Sequence, residues 1–561
     1  MPASTLSLER LRARIGAFLS DSALEELMFL SKAELEGRDG DELHVSVTPD
    51  RLDLLSEAGL ALHLAGAMGV AEGILRPPER GGGSEIRCDI DPSVAALRPS
   101  FAAVLVESSE EGGLDEGTLA EAIRFQELLH ATVGRDRRLA SLGIYPLDRI
   151  EFPLRYSLEA MEAVRFVPLD GTEEVAAARF FAEHPMAARY GSLGRSGDRT
   201  LTLRDARGSV LSLPPVLNAR GAGEARPGDR RLLLESTGAS PRAVGEALGL
   251  LEVVFVGRGW TVGPVRTVGT GDDPGMEWYR PRTVDLPVGV LHGIAGESLS
   301  SAEVARRLAA ARLGGHPHRA GWSVEVPPWR PDLLTAVDLA EDVILAGGVR
   351  PECGVLPPSP TRGRRRPESR FRGRIRRRLL GMGLAQPYTP LLVGEATARR
   401  MGADGAIRLR NPVSAEFAVL RDRLLLSHIE VLERNTRHPY PQRFGEVGPV
   451  VRPDPAAESG AETRYHASIV LAEDGTGFAD GAARVEMLLR SFDVGFVREP
   501  AVLSGTIPGR AASFRVAGEP VAETAEIHPG VLTELGVPVP TTWAELDLTA
   551  LWALGARRDT H

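Results

Sequence analysis

Three acidic side chains are spaced so that a single helix face would hold them together. Asp338, Glu341 and Asp342 stand at positions i, i+3 and i+4, and Asp332 lies in the segment just before them. Carboxylates this close repel one another unless they are protonated, solvated or bridged by a cation, and an oxygen-preferring ion such as magnesium suits them. An acidic first helical turn, favoured by the helix dipole, explains the same spacing. The residues alone leave both explanations open.

The patterns of several common catalytic sites are missing from the sequence. Neither HExxH nor GxSxG occurs, and the short glycine pair Gly269 and Gly271 is followed by two aspartates that would repel phosphate. Lysine occurs once, at Lys32, and no glycine-rich loop precedes it, which excludes a Walker-type phosphate loop. Side-chain chemistry alone therefore indicates a multidomain protein without a recognisable active site.

Composition is that of an ordinary globular protein with an acidic balance. Of 561 residues, 43% are hydrophobic and 25% charged, and the net charge is −10. No apolar run reaches the ~18 residues of a membrane span, and the N-terminus does not resemble a signal peptide. Two cysteines, Cys88 and Cys353, exclude a disulfide scaffold or a thiolate zinc cluster within the chain. We expect a cytoplasmic protein in which any RNA contact is local or shared with a partner.

Proline- and glycine-rich stretches divide the chain into four predicted units. Candidate linkers lie at 77–84, 269–275 and 357–367. A chain of 561 residues is too long for a single core, which agrees with this division. The predicted units are 1–75, 86–272, 278–355 and 368–561.

Local patterns predict an α+β multidomain fold. The first unit has a helix beginning at Ser7, a strand at 42–47 and a helical face that carries Leu54, Ala58, Ala61 and Ala65. The second unit alternates strands and helices, and is predicted to have a central sheet. Further strands are predicted at 102–106, 210–213, 232–234, 467–471 and 512–516, and helices at 119–129, 241–254, 301–311, 337–345 and 370–382.

Six segments, in order along the chain, resemble the phenylalanyl-tRNA synthetase β subunits of the archaeal and eukaryotic type. They include VTPDRLDLLSEAGLALHLAG from residue 47, PPWRPDLLTAVDLAEDVILAGG from residue 327 and TIPGRAASFRVAGEPVAETAEIHPGVLTELGV from residue 506. The order of several segments is far more specific than any one of them. The sequence departs from the family pattern at Leu52, Gly348 and Gly445.

The resemblance implies a name and a role for each predicted unit. It implies a small N-terminal domain, an editing-type domain that hydrolyses mischarged tyrosyl-tRNA, a winged-helix-like magnesium-binding domain, and a class II synthetase-like antiparallel core without catalytic residues. In the family, the positions matching Asp332, Asp338, Glu341 and Asp342 bind Mg²⁺. The implied partners are tRNA and a catalytic α subunit, which binds ATP within an α2β2 heterotetramer, and no membrane.

Four residues of the second unit are the editing candidates. Removing an amino acid from tRNA requires a positioned water, and a site built around the tyrosine hydroxyl discriminates strongly against phenylalanine. Ser212, Asn218, Glu235 and Thr237 are predicted to serve these purposes. Each also has an ordinary structural explanation: Ser212 in a strand, Asn218 in a turn, and the other two in a polar turn before the helix that starts at Pro241.

The last unit contains arginines but lacks the class II arrangement of them. A class II active site uses arginines to hold the phosphates and adenine of ATP. Arg421, Arg423, Arg437 and Arg443 stand outside any fRxE loop or G-x-G-x-x-R segment. We expect them to be structural or interfacial, with a pair between Glu416 and Arg421 as the simplest case.

The departures from the family pattern motivate a rival function. A paralogue outside translation would be a freestanding aminoacyl-tRNA deacylase or a binding module. A purely structural scaffold is a third possibility, which the sequence does not rank. An α-subunit gene in the same genome would favour the synthetase.

Overall fold

The described residues separate into two compact units. The computed structural model describes residues 1–77, 86–109, 112–268, 278–348, 356, 358–359 and 361–555. One unit covers 1–355 and the other covers 356–561. Cys353 and the predicted linker at 269–275 lie outside the described residues, as do most of the stretch 77–84 and part of 357–367. Among the described helices, none has the length and apolar character needed to cross a membrane.

The first 77 residues form a three-stranded antiparallel sheet with three helices. The elements are β1 (Ala3–Ser7), α1 (Leu8–Ile15), α2 (Asp21–Leu30), β2 (Ala33–Asp39), β3 (Glu42–Val47) and α3 (Glu57–Ala67), and the strand order is β1-β3-β2. The Ser7 side chain caps α1, as the sequence predicts. The helical face predicted from Leu54 is wrong in its first turn, because Leu54 lies in a separate 3-10 turn and Ser56 then caps α3.

Residues 86–268 form two main sheets instead of the single central sheet that the sequence predicts. The elements are β4 (Arg87–Ile90), β5 (Ser100–Glu107), α4 (Glu116–Ala131), β6 (Ala140–Pro146), β7 (Leu154–Ala160), β8 (Arg165–Phe166), β9 (Val175–Ala176), α5 (Ala177–Glu183), α6 (Pro185–Tyr190), β10 (Arg195–Ser196), β11 (Arg199–Arg204), β12 (Val210–Leu213), β13 (Leu217–Asn218), β14 (Arg231–Gly238), α7 (Pro241–Val256), β15 (Thr261–Pro264) and β16 (Arg266–Val268). One sheet has the order β15-β5-β14-β6 and the other β13-β12-β11-β7-β4-β16. Phe101 and Leu105 of the first sheet share a core with Tyr156 and Leu201 of the second, so the two sheets pack together.

Strand β14 runs further than the sequence predicts. Glu235 and Thr237 lie inside it, paired with β5 on one side and β6 on the other. The alternative of a polar turn before the helix at Pro241 is therefore wrong. Alternate residues of β14, among them Leu234, face the core beneath α7. Glu235 and Thr237 lie on the opposite face of the sheet.

Residues 278–348 combine three strands with three helices. The elements are β17 (Arg282–Pro287), α8 (Val288–Ala295), α9 (Ser301–Ala310), β18 (Gly314–His318), β19 (Gly321–Val326) and α10 (Ala336–Leu345), and the strand order is β17-β19-β18. Their shared core includes Leu286, Leu308, Val324 and Leu339. The two helices predicted at 301–311 and 337–345 match α9 and α10 to within one residue at each end.

The second compact unit is built on a six-stranded antiparallel sheet. Its elements are α11 (Pro367–Gly381), β20 (Leu392–Val393), α12 (Glu395–Arg400), β21 (Val419–Leu420), α13 (Leu425–Arg434), β22 (Gln442–Pro453), β23 (Ala461–Ala472), α14 (Phe478–Arg490), β24 (Val497–Pro500), β25 (Thr506–Val516), β26 (Glu519–Ile527), α15 (Pro529–Glu534), β27 (Thr541–Asp547) and α16 (Leu548–Ala553). The order is β22-β23-β27-β26-β25-β24. One face packs against Phe371 of α11 and Val485 of α14, and the opposite face against Ile429 of α13. An antiparallel core is thus present in this unit, and the finer domain boundaries stay predictions.

Candidate functional site

A cavity of about 290 Å³ opens beside the end strand β6 of the first sheet in residues 86–268. Helix α4 borders it on one side and the β12–β13 hairpin on the other. Its volume lies at the small end of the ~300–1,000 Å³ range of small-molecule sites. Ser212, Asn218 and Glu235 all line it, so three of the four predicted editing residues meet at one place.

The polar centre of the cavity joins strands that are distant in sequence. The Tyr145 hydroxyl lies 2.9 Å from Ser212 Oγ and 3.1 Å from Glu235 Oε2. A phenol has one proton, so Tyr145 donates to one of these groups and, when that group is Glu235, accepts from the Ser212 hydroxyl. A side chain at Gly143 would place its Cβ only 2.2 Å from the Tyr145 hydroxyl. Glycine at this position therefore leaves the space in which the Tyr145 ring lies.

Glu235 is the titratable group at this centre. It is 2% exposed, and burial raises the pKa of its carboxyl to about 7, against the lowering effect of the Thr237 and Tyr145 hydroxyls. Its second oxygen, Oε1, makes no hydrogen bond to the described residues. A buried acceptor left open is costly, so Oε1 is the atom at which a donor from a ligand would gain most.

Thr237 lies next to the cavity and is held by a buried arginine. Its hydroxyl is 3.3 Å from Ser141 Oγ, and Ser141 lines the cavity. Arg98, 1% exposed, donates to Ser141 Oγ at 2.9 Å and to the main-chain oxygens of Arg137 and Thr237. Burial lowers the pKa of Arg98, which faces no carboxylate within ion-pair distance among the described residues. Arg98 thereby fixes the backbone on which Glu235 and Thr237 stand.

Asn218 holds the hairpin that forms one wall. Its side-chain nitrogen donates to the Gly223 main-chain oxygen at 3.0 Å, and it pairs across the strands with Ser212. The structural alternative for Asn218 was a turn, and this is wrong, because Asn218 lies in the short strand β13. Its role here is to keep Ser212 and the loop after it in place.

Sequence inspection missed the residues that α4 contributes. The main-chain N–H of Leu142 donates to His130 Nε2 at 2.8 Å, and Gln126 donates to the Leu142 oxygen at 2.9 Å. Because Nε2 accepts, the ring proton of His130 lies on Nδ1, 3.1 Å from Glu127 Oε1. Burial also lowers the pKa of His130, so its ring is neutral with both nitrogens engaged. Ile144 lies two residues after Leu142 on the same face of β6 and also lines the cavity. The contacts from α4 therefore hold the strand that forms this wall.

Tyr145, a further cavity residue that was not predicted, has only a weak signal in the sequence. Tyr145 follows Gly143 at the i+2 spacing of one strand face, but nothing local places it against Ser212 or Glu235. The cavity arises from pairing between strands that are 67 and 90 residues apart in the chain.

The four acidic residues do not converge in this structure. Arg330, 3% exposed, donates to both oxygens of Asp332, at 2.9 and 2.8 Å, and to Asp342 Oδ2 at 2.7 Å. Burial acts to lower the pKa of Arg330, but the charges of Asp332 and Asp342 raise it, so the guanidinium stays charged. Two of the four carboxylates are thus already paired with one buried cation.

The other two acids have partners of their own. Asp338 Oδ2 accepts from the Leu334 and Thr335 N–H groups at 3.0 and 2.7 Å, and so forms a capping box with the N-cap residue Thr335 at the start of α10. Glu341 is half exposed and pairs with Lys32 Nζ at 2.6 Å. No group of three or more acidic, histidine or cysteine side chains within the described ranges could hold a metal ion. In this arrangement the four acids do not fit a Mg²⁺ site, and the helix-start explanation accounts for Asp338.

Three of the four arginines considered in the second unit pair with carboxylates of the same chain. Arg421 is buried and lies 3.3 Å from Glu446 and 2.9 Å from Ser427 Oγ, whereas Glu416 lies 3.8 Å from Arg434. The expected pair between Glu416 and Arg421 is therefore wrong. Of the other three arginines, Arg423 pairs with Asp422, Arg443 pairs with Glu473, and Arg437 is exposed.

Comparison with known proteins gives consistent matches along the chain. The family model described as tRNA synthetase B5 domain matches residues 284–348, and that described as phenylalanyl tRNA synthetase beta chain CLM domain matches residues 354–548. The phenylalanine–tRNA ligase beta subunit of Thermofilum pendens is 30% identical over 98% of both chains. That of Halobacterium salinarum is 30% identical over 98% of this chain and 100% of the relative.

One solved structure resembles a large part of the chain. It is an N-terminal fragment of the phenylalanyl-tRNA synthetase beta subunit from Pyrococcus horikoshii, with 26% identity and a TM-score of 0.56. The match covers 62% of this chain and 100% of the fragment.

Proposed function

This chain belongs to the phenylalanine–tRNA ligase beta subunit family, and on that premise we propose that it supports, without catalysing, the ATP-dependent attachment of phenylalanine to its tRNA. The observation that carries the proposal is similarity to named beta subunits over 98% of both chains. The arginines of the second unit agree with it, because Arg421 and Arg443 are held by carboxylates of the same chain.

The partner implied by this assignment is a catalytic α subunit. In the proposed division of labour the α subunit binds ATP and Mg²⁺ and forms the aminoacyl ester, and the two chains assemble as an α2β2 heterotetramer. The complex would work in the cytoplasm, where charged tRNA is consumed. No step is assigned to a metal ion on this chain, since its four acids face Arg330, Lys32 and a helix start.

The departures from the family pattern have structural explanations and do not favour the rival paralogue. Gly348, three residues after the end of α10, has φ of +77°, a left-handed conformation that favours glycine. At Gly445 a Cβ would lie 2.8 Å from the Ser468 main-chain oxygen, so close packing favours glycine. Leu52 is buried in the core of residues 1–77.

The test of the main proposal uses pyrophosphate exchange with phenylalanine and ATP. The chain should be co-expressed with the α subunit of the same genome, and the complex compared with the chain alone. We expect exchange from the complex and none from the chain alone. Robust exchange from the single chain would overturn the assignment.

We further propose that the cavity beside β6 hydrolyses tyrosyl-tRNA made in error. A tyrosine side chain in the cavity could donate its hydroxyl proton to Glu235 Oε1, the open acceptor. Phenylalanine lacks that hydroxyl, and leaving a buried acceptor unpaired costs about 1–3 kcal/mol. The cavity would therefore retain tyrosine and reject phenylalanine.

The hydrolytic step is assigned to water and not to a protein nucleophile. Water adds to the ester carbonyl carbon, the bond to the terminal ribose oxygen breaks, and tyrosine leaves with the ribose hydroxyl restored. Thr237 is the candidate for holding the water or the terminal ribose. His130 does not serve as a base, since both its nitrogens are engaged and burial lowers its pKa. Hydrolysis thus depends on positioning in a shaped pocket.

A further inference from the structure

A pocket on the six-stranded sheet of the unit 356–561 has no role in the functions proposed above. Its volume of about 540 Å³ lies inside the ~300–1,000 Å³ range of small-molecule sites. Its wall combines charged groups of both signs with apolar side chains. The charged residues are Asp422, Arg423, Arg452, His466, Glu523, Glu545 and Asp547, and the apolar ones include Leu503 and Trp543. We call this space the mixed-charge pocket.

Two acids of the mixed-charge pocket already have partners in the fold. Glu545 accepts from two main-chain N–H groups at the start of α13, at 2.8 and 3.1 Å, and lies 2.6 Å from His466 Nδ1. Asp547 pairs with Arg464 at 2.8 Å. Burial acts to lower the pKa of His466, but Asp547 and Glu545 raise it above its ordinary value. These two carboxylates are therefore balanced by cations of the same chain.

Glu523 has no such partner. Its half-buried side chain forms no ion pair or hydrogen bond with the residues that the structure describes. It stands directly opposite Glu545 across β26 and β27, and like charges in this position destabilise a sheet. Burial raises the pKa of Glu523, Arg423 acts to lower it, and Glu545 raises it further. The fold gains nothing visible from this carboxylate, which is a reason to look for a ligand.

Two arginines lie near Glu523 without pairing with it. Arg423 pairs with its neighbour in sequence, Asp422, at 3.1 Å. Arg452 is exposed, and its Nε lies 3.5 Å from the Asp422 main-chain oxygen. Within the described part of the chain, Arg452 forms no ion pair, although its charge acts on the pKa of Glu523. A ligand with one charge of each sign would bridge this gap between an acid and its neighbouring cations.

The wall also contains two buried nitrogens that make no hydrogen bond to the described residues. They are Trp543 Nε1 and His466 Nε2, in side chains that belong to residues 1% and 3% exposed. A buried donor without an acceptor is costly. A carboxylate on a ligand would give the Trp543 N–H the acceptor that it lacks.

Other small charged ligands suit the pocket less well. A polyphosphate would meet the carboxylates of Glu523, Glu545 and Asp547. A metal ion is not supported either, because the described residues contain no group of three or more acidic, histidine or cysteine side chains that could hold one. A small molecule that carries both an ammonium and a carboxylate matches the mixed wall.

We propose that the mixed-charge pocket binds a free α-amino acid with an apolar side chain. The ammonium group of the ligand pairs with Glu523 and its carboxylate with Arg452. Both are charge-assisted contacts, which are stronger than neutral hydrogen bonds. The apolar side chain lies against Leu503 and Trp543. This proposal does not depend on the ligase or the editing assignment.

The test is isothermal titration calorimetry of the full chain with leucine and with phenylalanine. The α subunit is left out, so that no amino-acid site of a partner contributes. We expect saturable binding of one molecule per chain. Two analogues each lack one charged group: phenethylamine has no carboxylate, and 3-phenylpropionate has no ammonium. Each should bind about tenfold or more weakly than phenylalanine, because one charged contact is lost.

Variants assign the two charged contacts. Glu523→Gln should weaken the binding of phenylalanine by about tenfold or more without weakening that of 3-phenylpropionate, which has no group for Glu523. Arg452→Gln should weaken phenylalanine similarly without weakening phenethylamine. The matched control is Glu519→Gln, which removes the same charge from an exposed position of β26 outside the pocket and should bind as wild type does. Glu235→Gln should also bind normally, since it alters only the cavity beside β6.

Several outcomes would overturn the proposal. One is the absence of binding by both leucine and phenylalanine. Another is binding by Glu523→Gln that equals wild type, or an equal loss in Glu519→Gln, which would show an effect of net charge alone. Loss in Glu235→Gln would place the amino acid in the cavity beside β6 instead. Should Glu523→Gln fail to fold, judged by thermal unfolding, the exposed Arg452 decides by the same comparison. Pyrophosphate exchange by the complex tests the ligase assignment separately.

Discussion

Glu235 is buried and the pKa of its carboxyl is raised. Its Oε1 is an acceptor that makes no hydrogen bond to the described residues. The sequence suggested it only through family resemblance, because nothing local marks a glutamate in a strand as special. Its partner Tyr145 was not predicted at all, since the contact depends on pairing between β14 and β6. Residue types and spacing can nominate such a site, but the geometry that brings the residues together is non-local.

Replacing Glu235 by alanine should impair proofreading and leave charging intact. In the assembled complex we expect the preference for hydrolysing tyrosyl-tRNA over phenylalanyl-tRNA to fall by about tenfold or more, because an acceptor for the tyrosine hydroxyl is lost. Deacylation of both charged tRNAs and phenylalanine charging are to be measured. Proofreading by Glu235→Ala that equals wild type would remove Glu235 from the site.

Glu252 offers a matched control for this experiment. It is also fully buried, its pKa is likewise raised to about 7 by burial, and its neighbour is also a tyrosine, Tyr279. It lies in α7 and does not line the cavity. Glu252→Gln should therefore leave hydrolysis of tyrosyl-tRNA unchanged, and loss of editing in this variant would point to a general effect on folding.

The same two carboxyl groups predict a pH dependence of stability. Their ordinary pKa is 4.5 and burial raises each to about 7. Between these values the folded protein retains protons that the unfolded chain has released, so stability falls as pH rises through the window. Relative to wild type, Glu235→Gln should be about equally stable at pH 4.5 and more stable at pH 8, by up to about 3 kcal/mol. Chemical unfolding at each pH measures the difference, and a difference independent of pH would contradict the raised pKa.

Secondary-structure elements were predicted best where the signal is local. The predicted helix starts at Ser7 and Pro241 agree with α1, which Ser7 caps, and with α7, which begins at Pro241. Errors occurred where tertiary pairing decides. Glu235 and Thr237 look like turn residues but complete a strand, because β5 and β6 flank them. One central sheet was expected in residues 86–268 and two are present, which hydrophobic periodicity does not distinguish.

The start of α10 provides a test of the acidic cluster at this scale. Asp338 is the third-position acid of the capping box at the start of α10, so Asp338→Ala should destabilise the protein by about 0.3–1.5 kcal/mol, equally in magnesium and in chelator. Glu341→Gln should have little effect, since it breaks only an exposed ion pair with Lys32. Thermal unfolding in both buffers measures this. A loss confined to the magnesium buffer would restore the metal site that family resemblance implied.

At the scale of the whole molecule, the two compact units carry different features. The cavity lies in the unit 1–355 and the six-stranded antiparallel sheet in the unit 356–561. Four units were expected from the linkers, whereas contacts divide the chain into two, because residues 1–77 share a core with the sheet that carries Glu235.

The position of the cavity in one unit predicts that proofreading can be changed without changing charging. Glu235→Ala should leave the KM for tRNA in charging unchanged and lower only the hydrolysis of tyrosyl-tRNA. Steady-state kinetics of both reactions in the wild-type and variant complexes measures this, and a raised KM for tRNA in charging would show that the cavity also holds the tRNA while phenylalanine is attached.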